Sequence, residues 1–211
     1  MRALRRNRVE TEEDFPRDVQ ELQRLLAPVQ AGQPIVAVPG AGTNVPIWLL
    51  GSSLFSAQLA AYLGLPYAFA SHFAPRMLHQ ALAIYRQTFK PSAALAKPYA
   101  IVGVPVIAAP TDAEAQFLAS STYQRVLGIL TGNRTRLQPP VEGFMEQVSE
   151  RERAAIADFL AVGIIGGPQT VRAGLQALAQ ATQADEFMLV SDVFDADLRL
   201  RSLQLTAQAM V

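Results

Sequence analysis

The chain has 211 residues, half of them hydrophobic, with 18 basic residues balanced by 18 acidic ones and no cysteine. A chain of that size and apolarity can bury a sizeable core, so a disordered tail is excluded, and without a long one-sign block it lacks the electrostatic footprint that nucleic acid or an anionic membrane surface demands. No disulfide, thiolate zinc site or cysteine nucleophile is available, so redox chemistry must come from a cofactor.

In chain order, Arg2, Arg5, Arg6 and Arg8 are followed by Glu10-Thr11-Glu12-Glu13-Asp14 instead of an apolar stretch, which is not a signal-peptide pattern. Phe15, Val19, Leu22, Leu25 and Leu26 then recur at helical spacing, with Pro16 suited to a first turn and an end before Pro28. Two buried strands are expected next, at residues 35–38, closed by Pro39-Gly40-Ala41-Gly42, and at residues 46–50, stopped by Gly51. Helix (52–63), strand (66–70), helix (75–89) and a near-continuous apolar strand (99–108) follow. That last run, with Pro105 inside it, falls short of the roughly 18 residues a membrane span needs, and the expected location is the cytoplasm.

Thr111-Asp112-Ala113-Glu114 has the form of a capping box for a helix running toward Leu130, and a Gly/Asn/Pro-rich break covers residues 131–140. Residues 141–160 read as mostly helical; Gly166-Gly167-Pro168 stops that stretch and starts a helix to about Ala181 without need of a nucleotide. Residues 187–190 form the last expected strand, and residues 195–210 the closing helix. Apolar strands alternating with helices indicate a parallel sheet covered by helices, in an α/β barrel or a doubly wound sheet.

Two features sit at strand C-termini, where barrel active sites are built. In Gly51-Ser52-Ser53-Leu54-Phe55-Ser56, the glycine permits close backbone approach and three hydroxyls and helix N–H groups can converge on a phosphate; the same serines also fit as helix caps. His72 stands at the end of the strand at residues 66–71, where its neutral imidazole is either the candidate catalytic group lining a site, able to stabilise an oxygen-derived anion, or merely satisfies a loop carbonyl. His79 falls inside a helix as a packing or exposed residue, and two isolated histidines without carboxylate spacing do not make a metal site. Trp48, Tyr67, Phe69 and Phe73 read as core before they read as walls of a ligand site. Asp192 and Asp195 lie near the last strand, Asp195 as a helix cap with Arg199 and Arg201 as solvated partners.

The text from Val38-Pro39-Gly40-Ala41-Gly42-Thr43-Asn44 through Leu49-Leu50-Gly51-Ser52-Ser53, then Ser56-Ala57-Gln58-Leu59-Ala60-Ala61 and Gly64-Leu65-Pro66-Tyr67-Ala68-Phe69-Ala70-Ser71-His72-Phe73-Ala74-Pro75, resembles the luciferase-like flavin-dependent monooxygenase family. The resemblance continues through Pro98-Tyr99-Ala100-Ile101-Val102-Gly103-Val104, Thr111-Asp112-Ala113-Glu114-Ala115, Gly166-Gly167-Pro168-Gln169-Thr170-Val171 and Asp195-Ala196-Asp197-Leu198-Arg199-Leu200-Arg201-Ser202. It implies that the FMN phosphate is held by Ser53 and Ser56, with backbone contacts from Gly51 and Ser52. It further implies a monooxygenase acting on a small organic substrate with oxygen and reduced FMN, the flavin being reduced by a reductase or by bound NAD(P)H; the deazaflavin F420, used by a branch that shares the barrel, is the alternative cofactor.

The implied fold is α/β, the C-terminal part of a TIM-type (β/α)8 barrel over residues 1–211. Four barrel strands are counted (46–51, 66–71, 99–108 and 186–191) against the eight of a complete barrel, so the first strands are expected to be lacking. The expected macromolecular partners are a flavin reductase and either a second copy of the chain or a complementing N-terminal half; the alternative function is a non-catalytic flavin-binding remnant or half-barrel subunit.

Overall fold

The computed structural model describes residues 14–210, so the basic cluster at the start of the chain lies outside the described residues. The chain divides into two units, Met1–Trp48 and Leu49–Val211.

In the first unit, α1 (Phe15–Leu26) carries proline in its first turn and buries Val19. The loop that follows is tied back to the helix end by Gly42 N–H to the Ala27 carbonyl (3.0 Å) and Asn44 N–H to the Leu26 carbonyl (3.0 Å). The strand expected at residues 35–38 does not form: the segment is irregular, and Val38 is 84% exposed. β-Branched residues favour an extended backbone but supply no pairing partner, and Pro34 and Pro39, which bracket the run, have no N–H to give a ladder.

The second unit alternates strand and helix: β1 (Leu49–Gly51), α2 (Leu54–Leu63), β2 (Tyr67–Phe69), a 3-10 turn (Pro75–Met77), α3 (Leu78–Thr88), β3 (Ala100–Ala108), α4 (Asp112–Leu130), α5 (Phe144–Gln147), α6 (Glu150–Phe159), β4 (Ile164–Gly166), α7 (Pro168–Thr182), β5 (Glu186–Val190) and α8 (Ala196–Ala209). Every strand pairing is parallel: β1 with β2, β2 with β3, and β3 with both β4 and β5. The long strand β3 pairs β5 along residues 101–105 and β4 only at 106–108.

β4 is a strand that the sequence count missed, so five strands form where four were expected. Only Ile164, Ile165 and Gly166 belong to it, too few to display a period, and a glycine before and after the pair of isoleucines reads as a break. The α/β class and parallel order stand.

The two faces of the sheet differ. Leu49, Tyr67, Phe69, Val102, Val104 and Val106 are buried, and Tyr67 packs on Tyr85 of α3. The alternate positions Leu50, Ala68 and Ile101 share a register row, and Gly103 pairs with Met188; on this face Leu50 and Met188 are 69% and 60% exposed. The crossover from β3 to β4 holds α4, α5 and α6, whose Ala115, Leu118, Ala119, Tyr123, Val126, Ile156 and Leu160 pack with Ile107 and Ala109 at the end of β3 and with Val193 beyond β5. That crossover therefore sits at the C-terminal end of the sheet.

Caps fix several helix starts. Ser149 and Glu152 form a reciprocal box at α6, and Asp195 accepts from the N–H groups of Asp197 and Leu198 at α8. Thr111 accepts from Glu114 N–H (3.2 Å) at α4. Asp112 reaches across to the start of α7, accepting from Gly167 N–H (2.5 Å) and the Thr170 hydroxyl (3.1 Å). The glycine pair therefore has its anion already, supplied by the protein itself.

The bond from Gly167, then that from Thr170, holds the Asp112 carboxyl below its ordinary value. A depressed carboxylate stabilises the fold above its unfolded pKa, and this contribution disappears as pH falls through the folded one. Asp112→Ala is expected to lower the thermal midpoint at pH 7 and to converge on wild type in acid below the usual carboxylate range. Parallel melts of the two proteins at both pH values check it; a constant difference would remove Asp112 from the linkage.

Candidate functional site

The turn from β1 into α2 is built on one close approach. A Cβ added at Gly51 would collide with the Oγ and Cβ of Ser56, so only glycine lets the strand end pass under the first helical turn. Ser53 is the N-cap of α2, and its Oγ accepts from Ser56 N–H at 3.3 Å. The Ser56 hydroxyl turns inward, donating to the Ser53 carbonyl at 2.7 Å and lying 3.0 Å from the Tyr67 hydroxyl. Burial pushes the Tyr67 phenol above its ordinary value despite the Ser56 bond, which keeps it protonated at neutral pH. Ser53 is exposed and Ser52 half-buried, and the first N–H groups of a helix have no acceptor within it. The turn thus presents a hydroxyl and backbone donors outward with no carboxylate among residues 51–56. That donor set fits a phosphate.

The loop after β2 is hydrogen-bonded to this turn, Ala70 N–H donating to the Gly51 carbonyl at 2.9 Å. Ser71 is buried and donates to the Gly103 carbonyl at 2.6 Å. His72 lies on the face of Gly103, where an added Cβ would meet its Nδ1 at 2.5 Å, and its ring meets Phe73 edge-on at 4.7 Å between centroids. Nδ1 is buried and has no hydrogen-bond partner, so through that atom His72 satisfies no loop carbonyl. Burial lowers its pKa, the charge of Arg125 lowers it further and Asp192 opposes both; the imidazole is neutral at pH 7.

Arg125 and Asp192, from α4 and from the loop after β5, are ion-paired at 2.5 Å. Arg125 was not singled out in the sequence, although it is the sole charge in α4 after Glu114, and a lone charge in an apolar stretch is the signal that marks it. Arg125 also lines a hollow of about 470 Å³ with Phe73, Ile129, Arg134, Thr135 and Phe159. A second hollow of about 720 Å³ shares Phe73 and Phe159.

The remaining candidates fall elsewhere. His79 is exposed on α3, Tyr67 and Phe69 are buried core, and Trp48 and Phe73 are partly exposed. Among the described residues no cluster of His, Asp or Glu is placed to hold a metal ion, and no helix is long and apolar enough to cross a membrane.

Residues 1–185 match the family described as luciferase-like monooxygenase. The chain is 47% identical over 207 residues to the uncharacterized protein YvbT of Bacillus subtilis (98% of this chain, 61% of YvbT). It is 45% identical over 205 residues to a luciferase-like monooxygenase of Escherichia coli K12 (97% of this chain, 61% of that protein). Among solved structures, apo-MsnO8 superposes with a TM-score of 0.78 at 32% identity, covering 98% of this chain and 63% of that one. The chain thus spans about three fifths of the length of these relatives.

Proposed function

The chain belongs to the luciferase-like monooxygenase family, and on that footing we propose that it holds the phosphate of FMN in the turn at residues 51–56 and serves a flavin-dependent monooxygenase reaction on a small organic substrate. The observation that carries this reading is the cradle at Gly51, which any Cβ would close against Ser56.

In this reading Ser53 is the direct ligand. Its Oγ accepts from Ser56 N–H and spends its own proton only on a long 3.5 Å contact with the Ser56 Oγ, one that a phosphate oxygen would replace, and Gly51 and Ser52 bring backbone within reach. Ser56 has its hydroxyl engaged by the Ser53 carbonyl and Tyr67, so it shapes the turn more than it binds the anion. His72, neutral and half-buried, stands on the loop whose Ala70 N–H bonds the Gly51 carbonyl and offers a hydrogen-bonding atom without a charge. The crossover helices lie at the C-terminal end of the sheet, where packing over a bound flavin would keep water from it. The bound flavin supplies the reducing equivalents that let one atom of dioxygen enter the substrate; a flavin reductase or NAD(P)H would keep it reduced, and a cytoplasmic location suits that supply.

Equilibrium dialysis against FMN, riboflavin and F420 tests the reading. Hydrogen bonds to a charged acceptor are worth about 1.5–3 kcal/mol each, so FMN should bind at least about tenfold tighter than riboflavin. Equal affinity for those two would remove the phosphate site, and tighter binding of F420 than of FMN would transfer it to the deazaflavin.

A further inference from the structure

We propose that the hollow between Arg125 and Arg134 binds a monoanionic organic substrate, a carboxylate or sulfonate carried on an apolar body. This names the substrate class for the flavin reading above and rests on it for the reaction alone, not for binding.

Charge decides the sign of the ligand. Arg125 is neutralised by Asp192 (2.5 Å), and in the adjoining hollow Arg76 is neutralised by Asp158 (2.7 Å). Arg134 has no ion-pair partner among the described residues and shares its hollow with no carboxylate. The two joined hollows therefore carry one uncompensated positive charge. An ammonium ligand would be repelled, and a dianion would leave one charge unmatched.

An orphan donor identifies the head group. Arg125 spends its terminal nitrogen on Asp192, while its Nε–H is buried with no acceptor. A buried donor left unpaired is costly, and an anionic oxygen lying between Arg125 and Arg134 removes that cost. The planar fork of arginine suits this sharing, one edge to Asp192 and the Nε–H to the ligand.

The body of the ligand is read from the walls. Phe73 is half exposed, and it stands with Phe159 between the cationic hollow and a neighbour lined by Met77, Leu130, Ala154 and Ala155. Their volumes, about 470 and 720 Å³, fall in the range of small-molecule sites. Phe73 belongs to the same loop as Ala70, whose N–H donates to the Gly51 carbonyl at 2.9 Å, so one loop touches both the hollow and the phosphate turn.

Isothermal titration of the full chain, with and without FMN, uses sodium octanoate against 1-octanol, which has the same chain length without the charge. Octanoate should bind at least about tenfold tighter than octanol, the preference that an uncompensated guanidinium gives an anion. Arg134→Gln should remove most of that preference and leave octanol binding unchanged, which reports an intact hollow. Arg125→Lys, which keeps a cation for Asp192 but deletes the Nε–H, should weaken octanoate several-fold. No octanoate binding, equal affinity for the two probes, or wild-type octanoate binding by either variant overturns the assignment. Octanoate binding without FMN binding upholds it while sinking the flavin reading; FMN binding without octanoate binding does the reverse.

Discussion

Gly51→Ala is expected to lower FMN affinity by at least about tenfold and to destabilise the fold by about 1–3 kcal/mol, the usual cost of forcing a methyl into a packed site. The new methyl would collide with both Oγ and Cβ of Ser56. Rotating the Ser56 hydroxyl does not relieve this, because Cβ is fixed by the backbone of α2. The first turn of the helix must shift, and with it the Ser53 cap. Ser56→Gly in the same chain removes the obstructing Cβ, so the double variant should regain much of the stability lost by Gly51→Ala, less about 1 kcal/mol for glycine in a helix. Ser53→Ala should weaken FMN by about 1.5–3 kcal/mol without a comparable clash. Urea melts and flavin fluorescence titrations of the four proteins are the measurements. If Gly51→Ala binds and melts as wild type does, the close approach has no part in holding the flavin.

The shape of the turn at residues 51–56 is legible because its signals are local: an apolar run ending in glycine, then serines opening a helix. The inward turn of Ser56 toward Tyr67 was not, since it depends on how β2 lies beside β1. The same limit hid the Arg125–Asp192 pair. His72, Arg125 and Asp192 come from β2's loop, α4 and β5's loop, and no spacing rule connects elements that meet only when a sheet forms. Strand errors ran both ways for one reason. Residues 35–38 have strand chemistry but no strand beside them among the described residues, whereas β4, only three residues long, is too short to show a period and forms because β3 offers Val106, Ile107 and Ala108 as partners. Periodicity reports what a segment prefers; pairing is a property of two segments.

The chain studied by itself should bind a hydrophobic dye and associate with further copies, because one face of its sheet is apolar and open. β1 and β2 bury Leu49, Tyr67 and Phe69 on the helix side, while Leu50 stands 69% exposed on the other, in the row that continues through Ala68 and Ile101 and turns polar only at the exposed Glu186 of β5. Met188, 60% exposed, extends that row's neighbour at Gly103. Parallel strands are ordinarily covered on both faces, and burying a leucine or methionine side chain is worth about 1.5–3 kcal/mol each. β1 also leaves an edge, since among the described residues it pairs only with β2, and an unpaired edge beside an apolar face recruits another strand. Further parallel strands laid on this face, whether from a second copy or from additional chain, would cover it. Light scattering after size exclusion should show the 211-residue chain as an oligomer, and Leu50→Gln with Met188→Gln should reduce both dye binding and association. A monodisperse, dye-silent monomer that unfolds cooperatively would mean that these residues already enclose their own core and that the open face needs no partner.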